Sequence, residues 1–340
     1  MGAESSSRRD FMRHAVAATS VAALAEQLVA QTSSGSDTGV PTRVLGRTGV
    51  RVSILGVGGA HARAIKDDQE AIRFQHAAMD EGITFFDNAW DYSNGAAEEL
   101  MGRALAQDGR RNKVFLMTKN CGRDYPESMK CLEDSLRRLQ TDRIDLWQFH
   151  EINYDNDPEW VFERGAIKAA IEARRAGKVR FIGFTGHKDP RIHLKMLGQP
   201  FDWDTTQMPI NVADAHYRSF QNEVVPVCLK RRIAVIGMKG MGGGPGMLLG
   251  KAGLTPEECL RYCLSLPIAT QVVGMTTLEH LKGNVAVARS FQPMTAADKQ
   301  QLLARVSEIA GDGRFELFKS ATMFDGAYHR TQHGFPTTPR

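Results

Sequence analysis

Four residues of this chain have the types and spacing to move a proton onto a carbonyl oxygen: Asp87, Tyr92, Lys119 and His150. A tyrosine with its ordinary pKa of about 10 is a poor acid at neutral pH. A lysine ammonium beside it favours the phenolate and lowers that pKa. An aspartate paired with the lysine keeps it charged and oriented. A histidine can donate a hydrogen bond to the substrate oxygen or relay the proton. Together such a set protonates a carbonyl oxygen while hydride arrives at its carbon. Each residue alone has a plainer reading: Asp87 as a loop cap, Lys119 as a surface residue past a strand, His150 as a satisfied structural histidine. It is the order of the four, and where they fall on the elements that must carry them, that makes the set chemical.

Those elements alternate. Apolar strand-like runs begin at Val52, Thr84, Val114, Ile144, Arg180, Thr205, Ala234 and Thr270, and helix-period segments follow them. The helical patterns include Asp68 to Glu81, Pro126 to Leu139, Glu159 to Ala176, Ser219 to Arg232, Pro256 to Leu266 and Thr277 to Ser290. Eight strands alternating with helices call for a parallel sheet covered by helices, and at this length the expected fold is an α/β (β/α)8 TIM barrel. The alternative, an open doubly wound sheet, lacks its mark: no strand leads through G-x-G-x-x-G into a helix. Thr42 to Ser53 reads as a β-hairpin before the barrel, with a Thr48-Gly49 turn. Thr295-Ala296-Ala297-Asp298 opens an extra C-terminal helix with a capping pattern. The tail from Gly311 reads as loop or short helix packed over the barrel. In such a barrel the active site sits where strands end. Asp87 ends strand two, Lys119 strand three and His150 strand four, with Tyr92 five residues past Asp87.

The composition is globular: 340 residues, 42% hydrophobic and 24% charged, with a formal net charge of +4. Acids and bases are mixed and no long basic block exists, which argues against a nucleic-acid partner. The five cysteines, Cys121, Cys131, Cys228, Cys259 and Cys263, fit no disulfide framework. Cys259 and Cys263 share a helix face, but no second pair has zinc-site spacing, so buried thiols and no metal are expected.

The N-terminus has the form of an address. Ser7-Arg8-Arg9-Asp10-Phe11-Met12-Arg13 resembles the twin-arginine export pattern S-R-R-x-F-L-K. An Ala-rich stretch to Ala30 follows, too short and polar to span a bilayer stably, and Ala23-Leu24-Ala25 or Leu28-Val29-Ala30 fits a small-residue cleavage site. The expected division is a signal peptide over 1–30, a linker over 31–41, the barrel over 42–311 and a tail over 312–340. This implies the export machinery as a partner and a bacterial periplasmic or other extracytoplasmic location. That route carries folded proteins, often already loaded with cofactor.

D-x-x-x-x-Y, then a strand ending in Lys, then one ending in His, resembles the catalytic tetrad of the aldo-keto reductase family. Arg43-Val44-Leu45-Gly46-Arg47-Thr48-Gly49-Val50 is similar to that family's opening hairpin, and Gly177 to Gly183 to its approach to strand five. The similarity runs from about Thr42 to Ser290. It implies NAD(P)-dependent hydride transfer to or from an aldehyde, ketone or sugar carbonyl, with Asp87, Tyr92, Lys119 and His150 in the four roles. It also implies cofactor contacts. Thr185 and Gln207 would hold the nicotinamide carboxamide, with Gly186 standing where the family has Asn. Met238 would cover the ring in place of an aromatic residue. Lys239, Gly240 and Gly242 would hold the pyrophosphate, and Gly274, Thr276, His280 and Asn284 would lie along the adenosine. No Lys or Arg marks the 2′-phosphate position, so NADP and NAD both stay open. His61, Trp90 and His187 are placed at the substrate pocket. No closely spaced cysteine run exists for an iron–sulfur cluster. Gly186 and Met238 leave open a second reading, a non-catalytic cofactor- or partner-binding barrel. A third is a lyase with Lys119 as Schiff-base nucleophile.

Overall fold

A computed structural model describes residues 23–32, 39–244 and 246–337. Eight parallel strands close into a barrel in the order β10-β3-β4-β5-β6-β7-β8-β9. They are β3 (Leu55–Gly58), β4 (Phe85–Asp87), β5 (Phe115–Asn120), β6 (Ile144–Phe149), β7 (Val179–Thr185), β8 (Thr205–Pro209), β9 (Ala234–Met238) and β10 (Thr270–Val273). The expected fold is therefore observed, with one boundary moved. Val52 belongs to the hairpin β1 (Thr42–Val44) and β2 (Arg51–Ser53), which pair antiparallel, and the first barrel strand starts at Leu55.

The barrel interior obeys the two-residue period of strands. At the bottom, Phe85 stacks on Phe115 at 5.6 Å and Phe115 on Phe181 at 6.2 Å. Leu45 and Val52 of the hairpin join this cluster fully buried, so the hairpin plugs the floor. Along β5 the interior side chains run Phe115, Met117, Lys119, from apolar floor to charged mouth. Trp147 of β6 alternates with this set and faces the helical layer, 1% exposed, so it is core and not a pocket wall. The floor is also tied across the seam of the barrel. Arg43, 1% exposed, donates to the carbonyl oxygens of Leu264 at 2.7 Å and Ile268 at 2.8 Å.

Most expected helices form within a residue or two of their patterns. Two are split. Gly165, at φ +89°, separates helix Asp157–Glu163 from Ala166–Arg175, and Val224 separates Phe220–Glu223 from Val225–Arg231. Thr295 closes a capping box with Asp298 at the head of helix Ala296–Ala310. Residues 23–30 are helical, and Val29 rests on the core beside the hairpin. The twin-arginine motif lies outside the described residues. Among those described, no helix is long and apolar enough to cross a membrane. All five cysteines are buried and unpaired.

After helix Ala296–Ala310 the chain returns over the barrel mouth as two short helices, Leu317–Ser320 and Ala327–Gln332. A buried ammonium anchors it: Lys319 donates to Asp214 at 2.7 Å, Glu316 at 2.8 Å and the carbonyl of Tyr217 at 2.7 Å. The hydrophobic rationale is modest here. Phe318 is buried, but most of this segment is held by polar contacts.

Candidate active site

The barrel mouth brings the four expected catalytic residues together. Asp87 closes β4, Lys119 is the last but one residue of β5, and His150 follows β6 directly. Tyr92 opens the tight turn Tyr92–Gly95, whose Ser93, Asn94 and Gly95 all have positive φ. That left-handed run folds the chain back over β4. Gly95 sits at φ +94°, a backbone conformation that L side chains rarely adopt, which favours glycine there.

Lys119 is the hub. Its ammonium, 1% exposed, forms a charge-assisted contact with Asp87 and donates to the Asn88 carbonyl at 2.7 Å and the Tyr92 hydroxyl at 3.1 Å. Gln207 Nε2 donates to the other Asp87 oxygen at 2.9 Å. His150 stands edge-on to Tyr92, ring centroids 5.6 Å apart. The expected lowering of the Tyr92 pKa is not what the surroundings produce. Burial first, then the charges of Asp87, Asp91 and Glu151, push the phenol well above its ordinary value. The ammonium beside it is already matched by Asp87. Tyr92 thus rests as the acid, and Lys119 is placed to stabilise phenolate as it forms.

The expected cofactor residues fall into three groups. Thr185 and Gln207 are register partners across β7 and β8 and lie at the tetrad's level. Gln207 Oε1 is buried without a donor, which suits a carboxamide N–H. Gly186 has no room for the family's Asn, because a Cβ would lie 2.2 Å from the Ile152 carbonyl oxygen. Met238 ends β9, half-buried, at the mouth. The second group is the loop after it, where Gly242, Gly243, Gly244 and Gly246 all have positive φ. Lys239, at φ +56°, stays beside that glycine run, its side chain 3.6 Å from where a Cβ at Gly243 would lie, and its ammonium is 5.2 Å from the Phe318 ring. Its pKa is lowered by burial, with the like charge of Lys119 adding to this and Glu151, Asp87 and Asp325 opposing. Gly240 and Gly242 are packed against Gln271 and Leu248, where both have structural reasons to lack a side chain. The third group lies past β10. Thr277 caps helix Leu278–Arg289 by accepting from the His280 amide at 3.1 Å, and Asn284 donates to the His280 carbonyl at 2.8 Å. Thr276 flanks this exposed helix N-terminus, which is suited to an anion.

His61 leans on Gly274, where a Cβ would come within 2.5 Å of the imidazole. Trp90 stands further out. Its Nε1 donates to Asp134 at 3.1 Å, its ring meets Tyr328 edge-on at 5.1 Å, and with Asp91, Asn94 and Ala327 it lines a cleft. His187 is buried among polar partners: Asn153 at 3.1 Å, Glu151 at 3.3 Å and the Phe318 carbonyl at 2.9 Å.

Several mouth residues carried no assignment from sequence: Asp91, Cys121, Glu151, Asn153, Asp325 and His329. Asp91 and Glu151 adjoin Tyr92 and His150, so their neighbours in the chain were signal enough. Asp325 and His329 come from a tail without a motif. Asp325 accepts from the Tyr154 hydroxyl at 2.7 Å and pairs with Lys188 at 2.8 Å, and the Gly326 amide donates to Glu151 at 2.9 Å.

A model of the Aldo/keto reductase family matches residues 54–258. The chain is 33% identical over 231 residues to the oxidoreductase YrpG of Bacillus subtilis, covering 61% of this chain and 68% of that protein. It is 31% identical over 228 residues to the NADP(+) aldo-keto reductase yakc of Schizosaccharomyces pombe, covering 60% and 62%. The matches thus span about three fifths to two thirds of these relatives. Among solved structures it is similar to the holo form of an aldo-keto reductase from Bacillus halodurans, with a TM-score of 0.66, 25% identity, and coverage of 78% of this chain and 96% of that one.

Proposed function

This chain belongs to the aldo/keto reductase family of oxidoreductases, and from that premise we propose that it transfers hydride between a nicotinamide cofactor and the carbonyl of an aldehyde, ketone or sugar, with Tyr92 as general acid. The observation that carries the reading is the Lys119 ammonium joining Asp87 to the Tyr92 hydroxyl at the mouth of a closed barrel. The bound nicotinamide would supply or accept the hydride at the substrate carbon. Thr185 and the unpartnered Gln207 Oε1 would orient its carboxamide. The exposed helix N-terminus at Thr276, with His280 and Asn284, would lie along its phosphates or adenosine. Both NADPH and NADH remain open, since no Lys or Arg marks the phosphate position. The protein's own part is to hold the phenol proton at Tyr92 Oη, to fix Lys119 beside it through Asp87, and to keep water out beneath the C-terminal segment. His150 faces the same space and would donate to the substrate oxygen. The chamber walls supplied by Glu151, His187 and Asp325 are polar, which favours a hydroxylated substrate such as a sugar over an apolar ketone.

The test is cofactor oxidation by the purified chain, with NADPH and with NADH, across aldehydes, ketones and sugars. Turnover that collapses in Tyr92→Phe while cofactor binding survives supports the proposal. Cofactor binding with no turnover in either form favours the non-catalytic barrel. A chain that binds neither cofactor ends both.

The export reading of the N-terminus adds a location to this proposal, outside the cytoplasm. A cofactor held through transport would then be recycled on the protein by paired oxidation and reduction of two substrates. Fractionation of cells would place the mature chain, and mass analysis of purified protein would show retained NADP or NAD. Free exchange of cofactor with solution would remove the recycling.

A further inference from the structure

Beside Tyr92, three barrel loops and the C-terminal segment converge four ligating side chains whose N, O and S atoms lie within 4.8 Å of one another: Asp91, Cys121, His150 and His329. Cys121 Sγ is 3.6 Å from His150 Nδ1, and Asp91 Oδ1 is 3.1 Å from the same nitrogen. Tetrahedral zinc, with bonds of ~2.0–2.3 Å, spaces its ligand atoms by ~3.3–3.8 Å. The cluster is therefore nearly at ligand spacing already.

One of these groups lacks the partner that burial demands: His329 Nε2 has no hydrogen bond, while Asp91 Oδ1 has the approach of His150 Nδ1 at 3.1 Å. His329 is fully buried, and its Nδ1 lies 3.1 Å from the Gln332 side-chain oxygen. A proton on Nδ1, donated to Gln332, leaves Nε2 as a bare lone pair. That lone pair faces Asp91 Oδ2 at 4.0 Å. Two acceptors turned toward each other inside a protein are held apart by repulsion unless a cation sits between them. The Gln332 contact is also the outer-shell arrangement that orients metal-bound histidines, and Gln332 is itself fixed by donating to the Cys121 carbonyl at 3.0 Å. A thiolate and a carboxylate with two neutral imidazoles balance a divalent charge, so the loaded site carries no net charge into the interior.

We propose that Asp91, Cys121, His150 and His329 form a binding site for a divalent transition metal of the zinc class, which ties the C-terminal segment to the barrel. This replaces the expectation of buried inert thiols at Cys121. Loading releases the Cys121 proton and places the metal on His150 Nδ1. His150 then keeps its proton on Nε2 and can donate but not relay. The donation that the proposed reading asks of His150 is kept, so the site does not depend on that reading.

Cobalt(II) chloride titrated into the purified full-length chain tests it. The expected result is one equivalent bound, intense visible bands of tetrahedral cobalt and a sulfur-to-cobalt charge-transfer band in the near ultraviolet, all removed by zinc chloride. Cys121→Ser loses the charge-transfer band and Cys131→Ser, a buried neighbour outside the ligand set, keeps it. His329→Ala weakens binding by at least the ~10–100-fold seen on losing an outer-shell partner. Melting temperatures of the metal-free variants, unchanged from the parent, show that a lost band is a lost ligand. Absence of stoichiometric cobalt binding, a charge-transfer band that persists in Cys121→Ser, or full affinity in His329→Ala would each overturn the site.

Discussion

The two ends of this barrel are built from the same strands on opposite principles. At the floor, Phe85, Phe115, Phe181, Leu45 and Val52 form an apolar stack, and the buried Arg43 beside it donates to backbone carbonyls. At the mouth, two residues past Phe85 and four past Phe115, the interior holds Asp87 and Lys119, with His150 and Gln207 beside them, and the covering segment adds Asp325 and His329. Burying a charge is tolerable only when it is paired and hydrogen-bonded. The mouth meets that condition almost everywhere and breaks it at a few atoms, such as Gln207 Oε1 and His329 Nε2. The floor is therefore apolar packing, and the mouth holds buried polar groups whose cost in stability the floor offsets.

Four changes sharpen or break this contrast. Tyr92→Phe removes one hydroxyl from the mouth, and turnover of any carbonyl substrate is expected to fall ~10²–10⁴-fold with the melting curve almost unmoved. A large loss of stability instead would mean that the hydroxyl is structural. At the floor the pattern inverts. Phe115→Ala is expected to cost ~3–5 kcal/mol in denaturant unfolding while the folded fraction keeps its kcat. Gly186→Ala probes the boundary between the two regions. Its Cβ would press on the Ile152 carbonyl and the His193 ring, and a loss of ~1–3 kcal/mol is expected; an unchanged melting temperature would show that this backbone yields easily. The smallest effect concerns pH. Burial, with the nearby Asp214 charge opposing the pull of Lys319, raises Glu316 from 4.5 to about 7. A carboxyl with a raised folded pKa contributes stability that is full below its unfolded pKa and lost as pH climbs through the folded one. Stability should therefore decline between about pH 4.5 and 7, by on the order of 1–3 kcal/mol, and Glu316→Gln should flatten that decline. An identical pH profile in the variant would remove Glu316 from the account.

How much of this was legible in the sequence follows the same division. Strand starts were readable because strands buried on both faces appear as short apolar runs, and Val52 was misplaced by one element only because the hairpin's apolar plug residues carry the same pattern. The tetrad was readable because each member sits within a few residues of a strand end. Its electrostatics were not. Tyr92 was expected to be acidified by Lys119, but the charges of Asp87, Asp91 and Glu151 meet it only after folding. The contributions of Asp325 and His329 were invisible for a plainer reason. They are more than 170 residues in sequence from His150 and Glu151, and no periodic pattern announces where a tail will lie.

The buried Arg43 sets the order in which the chain can complete itself. Its guanidinium belongs to the hairpin at the front of the barrel, yet the carbonyl oxygens it needs lie 221 and 225 residues later, at Leu264 and Ile268. While the chain is being made, the hairpin must wait, its charge still in water, until the last strand has left the ribosome. Contacts of such separation are slow to form. Closure of the barrel is then a late event that joins both ends of the sequence at once, and a chain truncated before Ile268 would be left with an open floor as well as an unclosed wall.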